Sequence, residues 1–152
     1  MKKTNFRLRL CITLLVLNLV FIWGNSLFPA QASAAISGWI WELLGDFTGG
    51  DMTPGGAVGD GPLRKAAHFI EFAGLGMVLL WIMVLTGKQR FLAFAGGFGV
   101  ACVDETIQMF VPGRGPAIGD VLLDSAGVLT GLLLFLLIRH LRRNQSLPNG
   151  GI

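Results

Sequence analysis

Three short stretches of this chain carry residue types that do chemistry. Arg64, His68 and Glu71 stand at i, i+4 and i+7, one face of a helix, with Lys65 on its shoulder. Further along, Glu105 and Gln108 share a face with Asp104 beside them, and Asp120 and Asp124 repeat the i, i+4 spacing. Arg114 sits between Gly113 and Gly115 in a Pro-Gly turn. Such a set supports three chemistries. Glu71, Asp104, Glu105 and Asp124 offer oxygens, and His68 a nitrogen, to a divalent cation. No HxxxH or HExxH spacing supports that option, so no metal and no cofactor are expected. His68, Glu71, Asp104 and Glu105 are candidates for acid/base catalysis, with His68 as the proton shuttle. Recognition is the third option: Arg64, Lys65 and Arg114 hold a lipid phosphate while the acids and Gln108 bind a polar head group. Ser125 neighbours Asp124, but no Ser or Cys adjoins a His, so covalent catalysis is not expected.

The elements that must position these residues follow from composition. The chain has 152 residues, 53% hydrophobic and only 14% charged, against about a quarter charged in soluble domains. Cys11 and Cys102 lie in apolar runs and form neither a metal spacing nor a disulfide framework. Four segments approach the roughly 20 apolar residues needed to cross a bilayer: Leu8–Phe28, Ala66–Thr86, Phe91–Phe110 and Ile118–Ile138. The third is the least hydrophobic, because its apolar run ends at Val103 and the helix must continue through Asp104, Glu105 and Gln108. The expected fold is an all-α, small polytopic membrane protein, a single domain over residues 1–152 built as a four-transmembrane-helix bundle.

Charge sets the expected orientation. Lys2, Lys3, Arg7, Arg9, Lys88, Arg90, Arg139, Arg142 and Arg143 fall on one side, and Arg64, Lys65 and Arg114 on the other. The positive-inside rule then places both termini in the cytoplasm. All nine acids belong to outer loops or to the outer ends of spans. Counting 1.5 Å per residue from those ends puts Glu71, Glu105 and Asp124 about 8–9 Å deep on three helices, with His68, Gln108 and Asp120 above them. The acids thus line a polar cup that opens outward, with Arg64, Lys65 and Arg114 across its mouth. Buried polar residues also hold helices together at about 0.6 kcal/mol per contact, but a purely structural network needs fewer charges than these.

Other features complete the organisation. Ser37–Phe47 places Trp39, Ile40, Leu43, Leu44 and Phe47 near one face, which predicts an external amphipathic helix at the membrane interface. Thr48–Pro62 is rich in Gly and Pro and reads as a flexible external loop. Ala30–Ala34 resembles a signal-peptide cleavage site, but a helix reaching Phe28 is long enough to span, so the first segment is expected to be retained. Small residues at Ala93, Gly97 and Ala101, and at Gly127 and Gly131, predict close helix contacts.

Taken together, Arg64-Lys65-Ala-Ala-His68-Phe-Ile-Glu71, Asp104-Glu105-Thr-Ile-Gln108 with Pro112-Gly113-Arg114, and Asp120-Val-Leu-Leu-Asp124 with Gly127 and Gly131 resemble the VanZ-like family of small bacterial membrane proteins. The resembling region covers Gly61–Ile138, and Trp23-Gly-Asn25-Ser26 is similar to the end of the family's first helix. Phe72 stands where the family often has Tyr, and Asp124 where it often has Asn. The family's namesake is associated with low-level teicoplanin resistance. The resemblance therefore implies a multi-pass protein of the bacterial cell membrane whose partners are membrane lipids, lipid-linked cell-wall precursors or a lipoglycopeptide, and not nucleic acid. The expected function is binding rather than catalysis. The alternative is a membrane-embedded acid/base or metal-assisted enzyme acting on a lipid head group.

Overall fold

In a medium without water the backbone must satisfy its own hydrogen bonds, and long helices do so within one segment. The computed structural model describes residues 2–29, 31–33, 35–36, 38–40, 43, 62–115 and 117–145, and contains helices and turns with no strand among them. Four helices are traced end to end: α1 (Lys2–Leu27), α2 (Pro62–Thr86), α3 (Phe91–Gln108) and α4 (Ile118–Gln145). Residues 31–33, 35–36, 38–40 and 43 are also helical. They include part of the expected Ser37–Phe47 amphipathic segment, the rest of which lies outside the described residues. So does the expected loop Thr48–Pro62, apart from Pro62 at the start of α2.

Thr4–Leu27, Leu63–Thr86 and Ile118–Gln145 are long and apolar enough to cross a membrane. They expose large apolar side chains along their length, among them Leu17, Val20, Leu133 and Leu137. A helix that is apolar around its circumference requires lipid rather than water. The protein is therefore a multi-pass membrane protein. The helix α3 is not among the three. Its 18 residues rise about 27 Å, and its last turn and a half carries Asp104, Glu105 and Gln108.

Helix α2 is central. It packs against α1, α3 and above all α4, while α1 and α4 make no close backbone approach to one another among the described residues. Two backbone approaches explain the α2–α4 seam. A methyl group at Gly131 would collide with the Ala73 carbonyl, and one at Gly76 with the Val128 carbonyl. Gly127 completes the contact, with the Phe69 oxygen 2.6 Å from where its Cβ would stand. On α3 the buried stripe Ala93, Gly97 and Ala101 faces the same seam, and Gly97 lies against the Val128 side chain. Ile22, Phe72, Leu75, Leu80, Val128 and Leu132 fill the remaining core.

The turns are set by two glycines with left-handed backbone. Gly87 (φ 69°) ends α2, and the Lys88 N–H reaches back to the Met83 carbonyl at 3.0 Å, the Schellman stop. Gly113 (φ 78°) follows Pro112, and the Arg114 N–H closes the turn on the Val111 carbonyl at 3.1 Å. Pro followed by a positive-φ Gly is the type II pattern. This turn delivers Arg114 to the site.

Candidate functional site

At the end of the bundle where α1 finishes and α2 starts, eight polar or charged side chains are buried: Ser26, His68, Glu71, Asp104, Glu105, Gln108, Asp124 and Ser125. Ionisable side chains are rare within membrane spans, face the protein interior and are functional by default expectation. Ser125 donates to the Val121 carbonyl of its own helix; the other seven, with the charged residues beside them, fall into three groups.

The first group joins α1 to α2. Glu71 Oε1 accepts a 2.7 Å hydrogen bond from Asn25 Nδ2, and the Glu71 backbone oxygen is 3.4 Å from Asn18 Nδ2. Arg114 donates to the backbone oxygens of Asn25 and Ser26 at 3.3 and 3.2 Å, and to Ser33 Oγ at 2.7 Å. A guanidinium on the last carbonyls of a helix satisfies acceptors that have no intrahelical donor and complements the negative end of the dipole. Burial, then the like charge of Arg64, lowers the Arg114 pKa from its ordinary value, yet a guanidinium remains charged in proteins.

The second group fixes the α3–α4 corner. Glu105 Oε1 accepts the Ala117 backbone N–H at the start of α4, where a negative charge is favoured by the helix dipole. Asp120 occupies the first turn of α4 and pairs with Lys65 across a 3.8 Å gap, the lysine side chain being 53% exposed.

The third group lies between these two. Arg64 Nη2 donates to Gln108 Oε1 at 2.7 Å, and Gln108 Nε2 donates to Asp104 Oδ2 at 2.7 Å and approaches Ser26 Oγ at 3.4 Å. His68 Nδ1 stands 3.9 Å from Asp104 Oδ2 and 3.7 Å from Asp124 Oδ1. Its ring is stacked on Phe72, one turn along, with centroids 6.4 Å apart. Above this set lies a cleft of about 160 Å³ bounded by Asn25, Phe28, Ser33, Arg64, His68, Glu71 and Arg114. Polar groups and cations thus meet an apolar wall at one opening.

All ten residues singled out in the sequence, Arg64, Lys65, His68, Glu71, Asp104, Glu105, Gln108, Arg114, Asp120 and Asp124, fall at this end of the bundle, but they do not form one undivided cup. Glu71 turns toward α1, and Glu105 toward the α3–α4 corner, so neither is a partner of His68. Among the described residues Glu71, Asp104, Glu105 and Asp124 each keep one buried oxygen without a hydrogen-bond partner. Sequence reading did not single out Asn18, Ser33 or the pairing roles of Asn25 and Ser26. The available signal was the polar pair Asn25-Ser26 near the end of the apolar run of α1.

Fold and site together define a small helical membrane protein with a polar centre built across helix ends. Residues 3–139 match the family described as VanZ/LLP1, and the chain belongs to that family. No curated protein matches the chain, nor does any solved structure.

Proposed function

We propose that this protein is a non-catalytic factor of the bacterial cell envelope that crosses the cell membrane four times with both termini in the cytoplasm. Its outward-facing polar site binds the head group of a lipid, a lipid-linked cell-wall precursor or a lipoglycopeptide, and so contributes to low-level teicoplanin-type resistance. The observation that carries this reading is the cleft of about 160 Å³, where Arg64 and Arg114 share the lining with Phe28, Ile36 and Leu63, the first two being exposed apolar side chains. An anionic group attached to an acyl or prenyl tail suits both halves of that opening. The fourth crossing is α3: its apolar residues Phe91, Leu92, Phe94 and Phe98 are exposed, while its polar end is buried against neighbouring helices.

The test is teicoplanin susceptibility in a sensitive Gram-positive host expressing the protein. Wild type is expected to raise the inhibitory concentration, and Arg64→Ala at equal membrane abundance to lose most of that protection. Absence of protection by wild type removes the drug from the proposal. A second reading, an enzyme acting on a lipid head group, is favoured by His68 between Asp104 and Asp124. It requires a change in membrane lipid composition on expression that disappears with His68→Gln.

A further inference from the structure

A buried imidazole between two buried carboxylates normally hydrogen-bonds to one of them. Here it does not. His68 Nδ1 is 3.7 Å from Asp124 Oδ1 and 3.9 Å from Asp104 Oδ2, beyond the 2.7–3.2 Å range of such bonds. The three side chains come from three helices and are 93–100% buried, with exposures of 7%, 0% and 2% for His68, Asp104 and Asp124. Asp124 Oδ1, the oxygen facing the imidazole, has no hydrogen-bond partner, and neither has Asp104 Oδ1.

One ligand atom from each residue lies within 4.8 Å of the other two. Atoms bound to a common tetrahedral ion at about 2.1 Å stand about 3.4 Å apart. The His68–carboxylate separations exceed that by a few tenths of an ångström and the two carboxylates lie within 4.8 Å of one another, so the three side chains would draw together around an ion. Two carboxylates packed together away from water are each penalised by desolvation, and a bound cation is one way to relieve that penalty. The Asp104 oxygen nearest His68, Oδ2, also accepts from Gln108, itself held by Arg64, while Oδ1 is unpaired. This is the outer support that orients metal-ligating carboxylates. Beside His68 and Asp124, a niche of about 10 Å³ bounded by Arg64, Lys65 and Asp120 is close to the space one water requires.

We propose that His68, Asp104 and Asp124 bind one divalent transition-metal ion of the zinc class, with a water from the adjoining niche completing the coordination. One imidazole with two carboxylates suits zinc or manganese better than calcium, whose sites are all-oxygen. The proposal does not rest on the head-group reading, because the ion would sit beneath the cleft whether or not the cleft holds a lipid.

The experiment uses the full-length protein in detergent, stripped with a chelator and dialysed against Zn²⁺ alone, with bound metal counted by mass spectrometry. The expected result is one Zn²⁺ per chain, a raised thermal midpoint with Zn²⁺, and a cobalt spectrum of nitrogen and oxygen ligation without thiolate bands. His68→Gln and Asp124→Asn keep side-chain size and should weaken binding at least tenfold. His140→Gln, the exposed histidine near the end of α4, should bind as wild type does. Folded wild type that takes up no stoichiometric Zn²⁺ overturns the proposal. So does binding that survives His68→Gln or is lost in His140→Gln. Should the site variants not fold, the wild-type stoichiometry and cobalt spectrum decide the matter.

Discussion

The two sides of α2 are built by opposite means. Toward α4 the backbones nearly touch, at Gly76 against Val128 and at Gly127 and Gly131 against Phe69 and Ala73. At Gly76 and Gly131 the nearest atoms are backbone, so an added side chain there would push the helices apart. Toward α1 the outer contact is made by polar side chains: Asn25 on Glu71, Asn18 on the Glu71 carbonyl, and Arg114 on the end of α1. The cleft opens on this second side. Close backbone packing supplies the fixed frame, and hydrogen-bonded side chains, which can exchange partners, border the space a ligand would enter.

The contrast yields a ranked set of outcomes. Gly131→Leu should have the largest effect, because the new side chain meets backbone rather than a movable neighbour. Overpacking of this kind costs about 1–3 kcal/mol and occasionally more, and the upper end or beyond is expected in a detergent unfolding measurement. A mild effect would show that the α2–α4 seam can spread. On the other side, Asn25→Ala leaves the buried Glu71 carboxylate without its donor and should cost about 1–3 kcal/mol. Adding Glu71→Leu should return much of that loss, since removing both partners spares the desolvation of an orphan; further destabilisation by the double change would mean that the pair is not self-contained. Lys65→Ala should have the smallest effect, within about 1 kcal/mol, because an ion pair this exposed is screened by water. A larger loss would place Lys65 within the fixed frame rather than at its rim.

The frame was more legible in the sequence than the partnerships. Spans expected at Ala66–Thr86 and Ile118–Ile138 lie within α2 and α4, but α4 runs on through Arg139 and Arg143 to Gln145. Hydropathy marks where lipid ends and says little about where a helix does. The small residues at Gly127 and Gly131 announced the seam because only a missing side chain permits that approach. Helical spacing also brought the polar residues to one end of the bundle. It could not divide them among partners, since that depends on how each helix is rotated against its neighbours. Asn25 is a polar residue in an apolar run and so is visible in the sequence, but nothing in its spacing names Glu71 as its partner. His68, Asp104 and Asp124 stand in the sequence among a wider set of candidate cation ligands with Glu71 and Glu105, and only the fold selects these three, because they are contributed by three helices and meet only in space.

The clasp made by Arg114 has a consequence for the order in which the molecule is completed. Its hydrogen bonds to Ser26 and Asn25 close loops of 88 and 89 residues, and long-range closures of this kind come late because their chain entropy is lost before the contact is made. During synthesis α1 enters the membrane with its final carbonyls unsatisfied by side chains, and stays so until Arg114 has emerged and the turn at Gly113 has formed. The polar end of the protein is thus incomplete until that turn has formed, and a chain that stops short of it would hold α1 and α2 without this clasp.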